Sequence, residues 1–280
     1  MSELKDRIAL VTGGARGFGR AVALALAHEG ADVAIADLAG SLPSERFPSM
    51  ADADRLARTV QEVEALGRRA IGIQADVTQS ADCRRMADET LAAFGKIDIL
   101  VANAGISSPG LAWELTEEEW DLLLAVNLKG VWLTTKYVVP HMIERRFGKI
   151  VMVASRSGLR GEPNCAHYVA AKHGVVGYMR ALAIELGPYE INVNALCPSG
   201  MGKLGETDRT PFWDDVAGHP SPTPEEFDRA YGKTNLFERL GRHEYSEVAE
   251  AVVWLASDGA RLLTGCALPF DGGYIAKRGG

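Results

Sequence analysis

Seven short stretches of the chain are apolar at consecutive positions: 7–13 (RIALVTG), 32–37 (DVAIAD), 70–76 (AIGIQAD), 97–105 (IDILVANAG), 149–155 (KIVMVAS), 191–198 (INVNALCP) and 267–273 (ALPFDGG). A strand with one wet face alternates apolar and polar residues, whereas a strand covered on both faces does not. Between these runs, 18–29, 53–66, 80–94, 116–145, 166–186 and 245–257 read as helices. In the fifth, Tyr168, Ala171, Val175, Tyr178, Leu182 and Leu186 recur at steps of three and four, one face of a helix. Alternating strands and helices predict right-handed crossovers. The expected fold is therefore α/β, a doubly wound, mostly parallel sheet of about seven strands. No repeat or interdomain linker interrupts the pattern, so residues 1–280 read as a single domain. Residues 38–52 and 199–241 break the rhythm. The second is long enough to predict a substrate-binding lid, with Phe212 and Trp213 as candidate apolar walls.

Charge and composition narrow the function. The net charge is −7 and there is no basic block, which argues against a nucleic-acid partner. The start, MSELKDRIALVTGG, lacks a basic-then-apolar signal pattern, and no apolar run approaches the roughly 20 residues of a membrane helix. A cytoplasmic protein without a membrane partner is expected. Cys83, Cys165, Cys197 and Cys266 are scattered and form no C-x-x-C pair, so they read as reduced thiols rather than metal ligands.

Candidate chemistry gathers at the carboxyl ends of the predicted strands. TGGARGFG, 12–19, lies between the first strand and the first helix. Glycines there let backbone N–H groups approach a pyrophosphate, which points to Gly13, Arg16, Gly17, Phe18 and Gly19. Asp37 ends the second strand. Its carboxylate suits ribose hydroxyls and repels a 2′-phosphate, so NAD is expected rather than NADP, although Arg16 argues the other way. Asp76, with Val77 beside it, is a candidate contact to the adenine. Asn103, Ala104 and Gly105 are candidates for the floor of the nicotinamide pocket.

AHYVAAKHG, 166–174, sets Tyr168 and Lys172 one helical turn apart. A free phenol has a pKa of about 10, and an ammonium beside it lowers that value. The pair therefore reads as a general acid/base for an alcohol or carbonyl oxygen. Ser155, or its competitor Ser157, would hold that oxygen. Asn127 lies within a helical pattern that asparagine disfavours, and reads as bonded to backbone or water, or as facing solvent. His167 and His173 flank the pair and read as packing residues. Residues near Gly158 and Pro163, and Trp113, are further substrate-contact candidates.

Taken together, TGGARGFG, Asp76, ANAG at 102–105, Asn127, Ser155, Tyr168-x-x-x-Lys172, Pro198 and DGG at 271–273 resemble the classical short-chain dehydrogenase/reductase family over nearly the whole length. Ser155 precedes Tyr168 by thirteen residues, the family's usual interval, which favours it over Ser157. The resemblance implies a Rossmann-type fold and an Asn127–Ser155–Tyr168–Lys172 tetrad. In that tetrad the lysine also bonds the nicotinamide ribose and the asparagine holds a relay water. It also implies cofactor contacts from Pro198 and Met201, and a homotetramer built partly from 116–145 and 166–186. EALGRR, 64–69, is similar to the carveol-dehydrogenase-like branch. One departure is that Ser199 and Lys203 stand where the family often has glycine and threonine. The reading that results is an NAD-dependent secondary alcohol dehydrogenase or ketone reductase acting on an apolar or cyclic skeleton. Its rivals are an NADPH-dependent ketoreductase of acyl thioesters and an NAD-binding protein without turnover.

Overall fold

A computed structural model describes residues 3–42, 52–202, 216–239 and 241–278. Each predicted run forms a strand: β1 Ile8–Thr12, β2 Asp32–Asp37, β3 Ala70–Gln74, β4 Ile99–Ala102, β5 Lys149–Val153, β6 Asn192–Pro198 and β7 Ala267–Phe270. They form one parallel sheet in the order β3-β2-β1-β4-β5-β6-β7. The order reverses between β1 and β4, so the connections leaving those two strands diverge. The crevice at their carboxyl ends is where open sheets bind ligands.

The consecutive apolar residues are explained by two cores, one on each side of the sheet. Leu10, Ala34, Ile150 and Val193 face one core; Ala9, Val11, Val33 and Val151 face the other. Each fully buried aliphatic side chain contributes about 1.5–3 kcal/mol, and a polar residue is accommodated only where it is hydrogen-bonded, as Asn194 is to the Leu263 carbonyl and the Cys266 N–H. The edge strands β3 and β7 depart from this pattern, being only partly covered.

Among the described residues the helices are α1 Gly17–His28, α2 Ala53–Ala65, α3 Ser80–Phe94, α4 Glu117–Leu124, α5 Gly130–Arg145, α6 Ala166–Leu186, α7 Pro224–Gly232, α8 Tyr245–Ala256 and α9 Tyr274–Arg278. Two features were not expected. The stretch predicted as one helix over 116–145 contains a π turn, Ala125–Lys129, between α4 and α5. Helix α7 lies inside the predicted lid and opens with a capping box between Thr223 and Glu226. By length and composition alone the continuous stretch Glu117–Arg145 could cross a membrane, but half of its most apolar window is buried inside the fold.

Candidate active site

The turn after β1 is shaped for close approach. Gly13 and Gly17 adopt left-handed backbone, with φ of 66° and 51°. A Cβ on Gly19 would run into the Gly13 carbonyl oxygen, so α1 lies directly against the turn. Arg16 is the N-cap of α1, and the first turn carries neither a side-chain cap nor an acidic residue. The end of α1 therefore keeps its donors and positive dipole for an anion. Asp37 is buried; its carboxylate accepts from the Ala15 N–H at 3.0 Å and the Ala39 N–H at 3.2 Å. Each oxygen retains a lone pair, so the residue fastens the glycine turn and can still accept from a ribose. These features fit a dinucleotide.

Asn103 serves the same turn from β4. Its side-chain amide donates to the Thr12 and Gly13 carbonyls at 2.9 and 3.1 Å, while the Asn103 and Ala104 N–H groups both donate to Thr12 Oγ1. Gly105 lies closest to the reactive side chains, since a Cβ there would come within 3.7 Å of Lys172 Nζ. Asp76 closes a turn by accepting from the Thr78 N–H at 2.8 Å, and Val77 packs against Gly130. Phe18 is buried and stacks near Tyr245, with ring centroids 6.4 Å apart. Pro198 ends β6. Met201 pairs through its backbone with His243, and its side chain joins the second core.

Ser155, Tyr168 and Lys172 come together beyond the carboxyl end of β5. Ser155 caps a short 3-10 turn, Arg156–Gly158, and its Oγ accepts from the Ser157 N–H at 3.1 Å. Gly158 lets that turn rest on α6, because a Cβ there would lie 2.7 Å from the Lys172 carbonyl oxygen. Ser157 is buried, and Ser155 is the serine whose hydroxyl acts on the Tyr168 phenol, drawing its pKa down. Lys172 is 3% exposed, and its ammonium donates to the Val153 carbonyl at 2.8 Å. Burial pulls its pKa down to about 8.

One sequence expectation changes here. Lys172 Nζ sits over the Tyr168 ring, 5.5 Å from its centroid, and gives its hydrogen bond to Val153. The phenol's pKa is raised, not lowered, because burial outweighs the hydrogen bond to Ser155 and the positive charge of Arg156.

Asn127 is fully buried in the π turn, so it does not face solvent. Its side chain accepts from the Ile106 N–H and donates to the Ile106 carbonyl, both at 2.8 Å. It thereby fastens the segment after β4 to the helix beside the site. His167 is buried with Nε2 3.1 Å from Ser108 Oγ, whereas His173 is exposed and bonds the Val169 carbonyl. Pro163 is exposed, and Trp113 is 79% exposed. Lys203, Phe212 and Trp213 lie outside the described residues. The thiols of Cys165 and Cys197 are pushed up to about 11 by burial, which leaves them protonated and poor nucleophiles.

Sequence reasoning missed Arg156, Glu162, Tyr231 and Tyr274, which cluster beside Ser155. For Tyr231 a signal existed: T-x-x-E at 223–226 with Pro224 inside it marks a helix start.

A model of the short chain dehydrogenase family matches residues 7–209. The chain is 39% identical to a (-)-trans-carveol dehydrogenase of Rhodococcus erythropolis, covering 99% of this chain and 100% of that one. Its structure resembles the crystal structure of carveol dehydrogenase from Mycobacterium avium in complex with NAD, with a TM-score of 0.93, 34% identity and coverage of 99% and 100%. It also resembles levodione reductase, with a TM-score of 0.82, 31% identity and the same coverage. With the glycine turn at the sheet's switch point and the serine, tyrosine and lysine gathered beyond β5, these likenesses establish that the chain belongs to the short-chain dehydrogenase family.

Proposed function

We propose that the chain is an NAD-dependent dehydrogenase or reductase that interconverts a secondary alcohol and a ketone on an apolar or cyclic skeleton. The observation that carries this reading is the meeting of Ser155, Tyr168 and Lys172 across the switch-point crevice from the glycine turn and Asp37. The relatives named as carveol dehydrogenases, one of them bound to NAD, support the same cofactor and substrate class. Gly13, Gly17, Gly19 and Asp37 would hold NAD, which supplies hydride acceptance and return when bound.

The chain's own residues handle the proton. Tyr168 exchanges it with the substrate oxygen, and Ser155 holds that oxygen beside the phenol. The raised pKa of Tyr168 keeps the phenol protonated at neutral pH, the state a ketone reduction needs. Alcohol oxidation needs the phenolate and therefore accelerates as pH rises. Lys172 braces β5 against α6 and places a cation beside the ring. Asn127 holds Ile106 and, through it, the segment leading away from Gly105. The segment 199–241 acts as the lid, with α7 forming part of it. Half-exposed Trp132 and Trp254 and exposed Leu262 leave apolar surface for a second copy of the chain, in keeping with the homotetramer that the family resemblance implies.

The test is a nicotinamide-absorbance screen over secondary alcohols with NAD and NADP. Turnover with NAD is expected, and Tyr168→Phe should lower kcat by about 10²–10⁴. A strong NADP preference would remove the role given to Asp37. Full activity in Tyr168→Phe would remove the acid/base.

A further inference from the structure

Arg156 directly follows Ser155 and is 8% exposed. A charge so enclosed calls for an explanation, because an unpaired buried guanidinium is costly. Its Nη1 donates to Tyr231 Oη at 2.6 Å and to Ser199 Oγ at 3.1 Å. Its Nε faces Glu162 Oε1 at 3.3 Å, and both side chains are nearly buried. Its plane lies over the Tyr274 ring, 3.9 Å from the centroid. Tyr274 in turn donates to Glu162 Oε2 at 3.3 Å.

The Tyr231 hydroxyl completes the junction. It accepts from Arg156 and from the Gly200 N–H, so its own proton goes to Ser199 Oγ at 2.6 Å. A Cβ on Gly200 would lie 2.7 Å from Tyr231 Cζ and Oη, which fixes glycine at that place. The departure from the family pattern at Ser199 thus has a partner set of its own: its hydroxyl is the acceptor that Arg156 and Tyr231 share.

We propose that Arg156 is a positioning residue that joins the Ser155 turn to the Ser199–Gly200 turn, to α7 and to α9, so that the oxygen-holding serine and the lid side of the site move as one piece. The proposal rests on the dehydrogenase reading. A direct role in gripping an anionic substrate is disfavoured, because Nη1 and Nε are already committed within the protein and the guanidinium plane is covered by Tyr274. Lysine would not replace arginine here: an ammonium's donors all leave one nitrogen, so they cannot serve the Nη1 and Nε partners at once, and it has no flat face for an aromatic ring.

The experiment compares Arg156→Lys, Arg156→Gln, Tyr231→Phe, Ser199→Gly and the double variant Arg156→Lys/Tyr231→Phe. It reads kcat and KM for a responsive secondary alcohol, the pH profile of oxidation, and thermal unfolding. Arg156→Lys should lose about 10- to 100-fold in kcat/KM with kcat falling, as expected when a reacting group is displaced by about an ångström. Its alkaline limb should stay in place because the charge remains. Arg156→Gln should show the same loss with the limb moved to higher pH, a change that loosened packing alone would not produce. The double variant should be little worse than the worse single variant, since both changes cut one network. Arg156→Gln strands the Glu162 carboxylate and can fail to fold, in which case Arg156→Lys and Ser199→Gly still decide the matter.

Wild-type kcat/KM in Arg156→Lys, or strictly additive losses in the double variant, would overturn the proposal and leave the dehydrogenase reading intact. A wild-type protein inactive with NAD on every alcohol tried would overturn that reading, and this proposal with it.

Discussion

The two ends of the parallel sheet treat charge in opposite ways. At the amino end, Asp98 is fully buried, yet it takes Arg145 and Lys96, each at 2.8 Å, and the Ile8 N–H at 2.9 Å. Nearby, Asp32 is held by Arg68 at 2.6 Å and Arg69 at 2.7 Å, and its pKa is lowered despite burial. At the carboxyl end, buried Lys172 has a neutral carbonyl as its hydrogen-bond partner and is pulled down to about 8. Tyr168 is pushed the other way, toward the protonated phenol. Ion pairs fasten the amino end, whereas the carboxyl end, beside its Arg156–Glu162 pair, holds ionisable groups whose protonation states are left within reach of a reaction. Perturbed groups at the ligand-binding end of an open sheet are what proton transfer requires.

Lys172→Met should break the contrast most visibly. We expect kcat to fall by about 100-fold or more, while stability stays within about 2 kcal/mol because a costly buried charge leaves with the lost hydrogen bond. Asp98→Ala should do the reverse. It removes a buried carboxylate from two cations and a backbone donor, costing about 3 kcal/mol in denaturant unfolding, with kcat of the folded enzyme unchanged. The estimate is kept at the low end of the range because Arg145 and Lys96 are about one-third exposed and regain water.

The third prediction concerns pH. Lys172 has a folded pKa of about 8, below the ordinary lysine value of 10.5. Between those values the unfolded chain binds the extra proton, so stability rises with pH across that window. Wild type should therefore gain on Lys172→Met as pH climbs from about 8 to 10.5, as read by urea melts at several pH values. A flat difference would mean that the ammonium is better solvated than its burial indicates. The smallest effect is at the lid. Thr223→Ala removes the cap of α7 and should cost about 1 kcal/mol locally, seen as a raised KM with little change in global unfolding.

All seven strands and six helical stretches were legible in the sequence, because burial on both faces and helical spacing leave direct marks on residue order. The π turn was not, since AVNLK reads as ordinary helix until Asn127 is seen to need the Ile106 backbone. The pairing of Tyr168 with Ser155 was legible through spacing and family resemblance. The way burial overrides Lys172 was not, because enclosure depends on segments far apart in the chain. Arg156 is the clearest case: its partners Glu162, Ser199, Tyr231 and Tyr274 belong to separate parts of the sequence, and no local pattern links them. Helix α7 is different, since Thr223, Pro224 and Glu226 announced it inside a stretch read only as a lid.

The π turn has a mechanical consequence. An extra residue in a helix rotates everything after it by about 100° relative to what precedes it. Leu123 and Val126 can thus point into the small cluster with Ala171, while Val131, Leu133, Val138 and Met142 address the large core under α3. The single rod works like a shaft with an offset coupling, each half indexed to its own neighbour. Shortening it by one residue would restore an unbroken spiral and turn one of those halves away from what it grips.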